Sequence, residues 1–243
     1  MIKTVTVITD CHDNNAAGRQ KARLSSLFAC PVNLIGVKND LEASGNLIDI
    51  LDAVGEEETL ILVNVAPRNG RSKRWKNGTP FGYFYFENTL TISTVDGYCL
   101  SLVKKLGLIS KLKLLNIREV DTQFRSYQVI PSIAERLVRN KRSVFCEVQT
   151  VNKLANPTNT IWWVDNFGNC KTTLFKDDIE VVDGKINTKV GSFEFFPRLK
   201  DIPDGKTAVV VGSSGIKEKR FLEIVVQGGN AAKQVGLSVG VEI

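Results

Sequence analysis

The apolar pattern of this chain changes its period once, and that change limits the folds open to it. Up to about residue 150, short β-branched runs alternate with segments of helical spacing; beyond about residue 160 only short runs remain, punctuated by Gly, Asn and Asp. Val5-Thr6-Val7-Ile8 reads as a buried strand, and 16–28 as an amphipathic helix carrying Ala22, Leu24, Leu27 and Phe28. A second strand at 32–37, a helix at 45–54 carrying Leu47, Ile48, Ile50 and Leu51, and a third strand at 59–65 continue the alternation. Strands separated by helices pair in parallel with helices over both faces, and such sheets take ligands beyond the strand C-termini. Asp10 and the turn at 64–70 lie at such ends.

From Pro80 the texture becomes aromatic alternation, Phe81-Gly82-Tyr83-Phe84-Tyr85-Phe86, with Glu87-Asn88 as a hairpin turn into 89–94. This adds an antiparallel pair. Segments 97–106 and 130–140 read as helices, the second opened by Pro131. The polar, proline-containing stretch 151–159 reads as a linker. After it, strands are expected at 161–164, 171–175, 185–190, 191–196, 207–211 and 220–227, close enough together for a small all-β barrel. The predicted class is α/β: an N-terminal α/β domain, 1–150, with a mainly parallel, Rossmann-like sheet, the linker 151–159, and a C-terminal small β-barrel domain, 160–243.

Composition narrows the setting. The 243 residues are 43% hydrophobic and 24% charged, near the values of globular proteins, so disorder is not the main theme. No apolar run approaches the roughly 20 residues of a bilayer span, and the first residues lack the order of a signal peptide; a cytoplasmic protein without membrane contact is expected. Cys11, Cys30, Cys99, Cys146 and Cys170 are scattered and never in a C-x-x-C pair, which predicts reduced thiols and no metal site. A net charge of +6 permits anion binding, and the densest basic stretch, 68–76, carries Arg71, Lys73 and Arg74. No recognition module accompanies it, so a solvated basic loop is the plainer reading and nucleic acid is not an expected partner.

Two polar turns stand out as places where side chains and amides could converge on a small ligand. One is Thr9-Asp10-Cys11-His12-Asp13-Asn14 after the first strand. The other is Val164-Asp165-Asn166-Phe167-Gly168-Asn169, followed far later by Gln227-Gly228-Gly229-Asn230-Ala231-Ala232. With Leu62-Val63-Asn64-Val65-Ala66-Pro67, Thr94-Val95-Asp96-Gly97, Phe124-Arg125-Ser126, Ile130-Pro131-Ser132 and Phe221-Leu222-Glu223-Ile224, their order resembles the S-adenosylmethionine hydroxide adenosyltransferases and the related SAM-dependent fluorinases and chlorinases. The resemblance spans nearly the whole chain and is most specific in its C-terminal part. It implies a homotrimer whose site lies between one subunit's N-terminal domain and its neighbour's C-terminal domain. S-adenosylmethionine or adenosine would be the ligand, and no further cofactor is implied.

Within that resemblance Asp10 would accept bonds from both ribose hydroxyls, although a strand-end Asp also suits a helix cap. Asp96 keeps its family place, with an altered Gly97-Tyr98 after it. Asp165, Phe167 and Asn169 would grip the ligand, Phe167 stacking on adenine and Asn169 reading its edge; a tight turn with a core Phe is the alternative. Asn230 and Ala231 fall at a second adenine-side turn, where Asn230 could equally be an N-cap.

The departures concern the hydrolytic set. The family's Asp, Arg and His fall here on Ala66, on Lys73 or Arg74, and on Arg125. A methyl cannot orient water, and a guanidinium cannot act as a base at neutral pH. His12, the only histidine, is a substitute base or a loop residue bonded to Asp13 or backbone. Ser126 falls where halogenating relatives hold halide, but the long insertion typical of those enzymes is not evident. Arg125, Ser126 and His12 are therefore the catalytic candidates. The enzymatic reading is hydrolysis of S-adenosylmethionine to adenosine and L-methionine by attack of water at C5′; the alternatives are a non-catalytic adenosine or nucleotide binder and, as a third class, a basic nucleic-acid-associated protein on the same fold.

Overall fold

The computed structural model describes residues 1–66, 78–115, 117, 122, 124–139 and 145–243, and the chain forms two compact units, Met1–Asn156 and Pro157–Ile243. The Ala66 family position is therefore described, whereas the basic stretch 68–76, with Lys73 and Arg74, lies outside the described residues.

In the first unit the order is β1 (Thr4–Thr9), α1 (Asn14–Phe28), β2 (Val32–Gly36), α2 (Asp40–Val54), β3 (Thr59–Asn64), β4 (Phe81–Phe86), β5 (Thr89–Thr94), α3 (Ser101–Lys105), β6 (Lys111–Leu115), α4 (Arg125–Gln128), α5 (Ile130–Val138) and β7 (Phe145–Thr150). The sheet runs β2-β1-β3-β5-β4-β6-β7, parallel from β2 to β5 and antiparallel from β5 to β7. Side chains alternate across a strand, so Val5, Val7, Leu60, Leu62, Leu90 and Ile92 point to one face. Leu24 of α1 and Ile130, Ile133, Ala134 and Leu137 of α5 cover that face. On the other face α2 packs on β1 and β3, burying Leu47, Ile48 and Leu51. Each such side chain, once fully buried, contributes about 1.5–3 kcal/mol.

The differences from the sequence expectations have local causes. Helix α2 begins at Asp40 rather than 45, because Asn39 caps it, accepting the Glu42 N–H at 2.9 Å, while the buried Glu42 carboxylate accepts the Lys38 N–H at 2.7 Å. Asn39-x-x-Glu42 is a capping-box spacing. Helix α3 is shorter than 97–106 because Gly97 has φ +73°, outside helical space. Strands β6 and β7 were not expected, the Lys-Leu alternation of β6 being short and partly charged and β7 mixing Glu147 and Gln149 with apolar residues.

The second unit comprises β8 (Ile161–Val164), β9 (Cys170–Phe175), β10 (Lys185–Thr188), β11 (Gly191–Phe196), β12 (Thr207–Ile216), β13 (Lys219–Val226) and α6 (Ala231–Val235). Its sheet, β10-β11-β12-β13-β9-β8, curls into a half-barrel around Ile161, Leu174, Val209, Leu222 and Ile224. Phe175 stacks on Phe221 at 4.7 Å between ring centres, and Trp162 meets Phe221 edge-on at 6.3 Å. The C-terminal residues close the rim: Ile161 N–H donates to Val241 and Ile243 N–H to Asn159. Among the described residues no helix is long and apolar enough to cross a membrane.

Helix α1 buries only Gln20 and Leu24, so its entry matters to its stability. Asp13 is its N-cap, and one carboxylate oxygen accepts from Asn15 N–H at 3.0 Å and Ala16 N–H at 3.1 Å. Asp13→Ala should therefore cost about 1 kcal/mol, read as a lower midpoint in urea with an unchanged slope.

Candidate functional site

The C-terminal edge of the parallel strands gathers most of the N-terminal candidates. Register places Thr9 opposite both Gly36 and Asn64, and Val63 opposite Ser93, so Asp10, Asn64 to Ala66 and Val95 to Gly97 emerge at one end of the sheet. The Asp10 N–H donates to the Asn64 carbonyl at 3.4 Å, and the Thr9 hydroxyl accepts from Cys11 N–H at 3.1 Å. Asp13 rather than Asp10 caps α1, which leaves the helix-cap role out of the account of Asp10.

Asp96 is buried, and its carboxylate accepts the Gly97 N–H at 2.9 Å. Asp40, at the first turn of α2, accepts the Tyr98 N–H at 2.8 Å. A Cβ on Gly97 would stand 2.1 Å from the same Asp40 oxygen, so the turn requires glycine both for its φ and for this approach. Cys99 lies beneath. Burial chiefly, with the negative charges of Asp40 and Asp10, pushes its thiol up to about 12, while the Thr94 hydroxyl, 3.3 Å away, acts in the opposite direction. These carboxylates thus give the edge a negative potential. Asp40 was not singled out in the sequence, where the helix was expected to begin at 45; Thr94 was named only as the first residue of the Thr94-Val95-Asp96-Gly97 stretch.

Arg125 reaches the same edge from the other side. Because β4 is antiparallel to β5, Phe81 pairs with Thr94, and the Val95 N–H donates to Pro80 at 3.1 Å. The half-buried Arg125 guanidinium donates to the Thr79 carbonyl at 2.9 Å and lies 5.8 Å from the centre of the Phe81 ring. Burial lowers its pKa from the ordinary guanidinium value. Ser126 follows it, half-buried, in α4. The ring of the exposed His12 lies over β2: a Cβ on Gly36 would be 2.6 Å from its Cγ. Asp13 accepts from the helix amides through one carboxylate oxygen, while the His12 ring lies against the Gly36 backbone. Ala66 is exposed and offers only a methyl.

The second unit brings its two turns side by side. Ile224 pairs with Cys170, so the end of β13 runs alongside the 165–169 turn. The Ala232 N–H donates to the Gly168 carbonyl at 2.9 Å. Gly168 has φ +89°, and a Cβ there would lie 2.1 Å from the Asn230 Cγ. Asp165 organises its own turn: one oxygen accepts the N–H groups of Phe167 and Asn169, both at 2.9 Å, and the other accepts Asn169 Nδ2 at 3.0 Å. Asn169 is thereby oriented with its amide nitrogen inward. Asn230 is the N-cap of α6, accepting Lys233 N–H at 2.8 Å, and the Ala231 methyl is buried in the unit's core. Phe167 instead stands 69% exposed, a free aromatic face at the tip of a rigid turn. Among the described residues no group of three His, Cys, Asp or Glu is placed to hold a metal.

The fold is therefore that of an α/β unit followed by a curled β unit, with ordered polar turns in each. Residues 159–243 match the family model of the SAM hydroxide adenosyltransferase C-terminal domain, which supports that family for this chain. Among solved structures, an uncharacterized conserved protein from Thermotoga maritima is similar with a TM-score of 0.71 and 17% identity, covering 97% of this chain and 97% of that one. A conserved hypothetical protein from Thermus thermophilus has a TM-score of 0.67 and 18% identity, over 98% of this chain and 97% of the other. At such identities the likeness shows the fold. No curated protein matches the chain.

The contact between Gly168 and Asn230 makes a direct test of the turn pair. Gly168→Ala places a side chain at positive φ and against Asn230, and should cost about 2 kcal/mol or more in chemical denaturation. A change below 0.5 kcal/mol, on the order of a bland surface substitution, would mean the two turns are not held together as described.

Proposed function

We propose that this is an S-adenosylmethionine-binding, adenosyltransferase-like protein. Asp10 and Asp96 take the ribose side, and the 165–169 and 228–232 turns take the adenine. The observation that carries the proposal is the locked turn pair itself, which lies inside the stretch similar to the adenosyltransferase C-terminal domain and presents Phe167 to solvent. Following the resemblance, the pocket is completed by a neighbouring copy in a homotrimer.

The reaction such a site supports is displacement at C5′. The oxygen of water forms the new bond to carbon, the carbon–sulfur bond breaks with its electrons passing to sulfur, and methionine leaves as a neutral thioether. The protein's part is to fix the ribose, aim the water in line and accept its proton. Of the three candidates only His12 carries a ring nitrogen able to take that proton; Ser126 can hold the water by hydrogen bonds, and Arg125 supplies fixed positive charge. A second reading, adenosine binding without turnover, is favoured by two observations: the bare methyl of Ala66, and the commitment of Arg125 to the Thr79 carbonyl.

Incubation with S-adenosylmethionine, followed by chromatography, separates the readings. Slow formation of adenosine and methionine, abolished in His12→Ala, is the expected result; tight adenosine binding without products supports the second reading. In either case Asp10→Asn should weaken adenosine binding by at least about tenfold in calorimetry, since charge-assisted bonds contribute roughly 1.5–3 kcal/mol each. Equal affinity would remove Asp10 from the site, and a monomer by light scattering with full affinity would contradict the shared pocket.

A further inference from the structure

We propose that Tyr127, clasped by Arg19 and Arg23 of α1, is a positioning residue that sets Arg125 and Ser126 in place; the inference rests on the adenosyltransferase-like reading for its catalytic consequence alone. The two arginines are four residues apart on α1 and so share one face of it. The guanidinium carbon of Arg19 lies 4.6 Å, and that of Arg23 5.1 Å, from the centre of the Tyr127 ring. Arg23 also donates to the Gln128 carbonyl at 3.4 Å, and thus grips both a side chain and the backbone of α4.

Helix α4 needs such an anchor. It has four residues, none of them buried, and no side chain caps its start. A run this short does not stand on its own hydrogen bonds, because fixing the first turn costs more than that turn returns. Thr122 stiffens it, accepting the Phe124 N–H at 3.1 Å and donating to the Gln128 side chain, but these bonds stay within the segment. The bond from Arg125 to Thr79 ties the first residue of α4 to the chain entering β4, and the buried Ile130 and Pro131 of α5 hold the chain beyond it. The clasp on Tyr127 supplies the tie to α1, two residues after Arg125 and one after Ser126.

The attraction is of cation for ring face rather than plain packing. Tyr127 and Arg23 are half-buried and Arg19 is exposed. The Arg23 Nε is buried with no hydrogen-bond partner among the described residues, and a cation stripped of water in this way is drawn more strongly to an aromatic face. Leucine at 127 would fill part of the space but offer the arginines no such face, whereas phenylalanine keeps it. Helix α1 opens at Asp13, directly after the loop of Asp10 and His12. One helix thereby carries that loop at its start and fixes α4 along its side.

The rate at which phenylglyoxal modifies Arg125 in the ligand-free protein, followed by peptide mass spectrometry, provides the test. Modification of a held guanidinium passes through local opening, so its rate tracks the open population. Tyr127→Leu should speed it about five- to thirtyfold, the factor that two exposed cation–π contacts amount to, and Arg19→Gln combined with Arg23→Gln should do the same, while Tyr127→Phe leaves it unchanged. The exposed Arg198 of the other unit is the internal standard and should keep its rate throughout. An unaltered Arg125 rate in Tyr127→Leu, an equal rise in Tyr127→Phe, or a rise in step with Arg198 would overturn the proposal. With S-adenosylmethionine, Tyr127→Leu should slow adenosine formation by a similar factor and leave adenosine affinity unaltered; affinity falling together with turnover would mark a general disturbance and also overturn it. Because the modification rates involve no ligand, an unmodified protein that forms no adenosine, with Arg125 rates following this pattern, would count against the hydrolytic reading and leave the positioning role standing.

Discussion

One main-chain hydrogen bond, from Ala232 N–H to the Gly168 carbonyl, joins two turns separated by more than half of the second unit. The bond requires a carbonyl aimed out of the 165–169 turn, and that in turn requires Gly168 at positive φ with nothing on its α carbon to strike Asn230. Asp165 supplies the internal stiffness by accepting three N–H groups of its own turn. These bonds hold Phe167 and Asn169 in place within the turn.

The first unit orders its polar turns by a different device. Parallel strands end together, so Asp10 and the 95–97 turn converge without any long loop having to be ordered. Asp40 holds the Asp96-Gly97-Tyr98 turn from the start of α2, above a Cys99 thiol whose pKa is raised chiefly by burial. Arg125 brings the opposite charge to the same edge, tied to Thr79. The edge is thus polarised, with acid on the side of β1 and α2 and base on the side of β4.

Much of this was legible in the residues. The β-branched runs at 5–8 and 59–65 specify buried strands because no polar face interrupts them, and the change to closely spaced strands after 160 specifies the second unit. Strands β6 and β7 were not legible, since Lys111 and Lys113 alternate with leucine on an exposed face and the run is too short to distinguish from a loop. In the site, the residue types of both second-unit turns were legible but their tasks were not. Whether Asp165 faces a ligand or its own amides, and whether Asn230 caps or contacts, depends on turn geometry that spacing alone leaves open. Asp40 acts across 58 residues of sequence, a relation only the pairing of elements reveals.

The account centres on the second unit's turn pair as a preformed adenine platform, and Phe167 is its most exposed part. Because that ring is 69% exposed, removing it should leave stability nearly unchanged, so any effect on binding belongs to the ligand. Calorimetric titration of adenosine into the unmodified protein and into Phe167→Ala is the direct measurement. The account predicts a loss of roughly tenfold, on the order of one aromatic stacking contact, with Phe167→Tyr close to the unmodified protein. Equal affinity in all three proteins would contradict it.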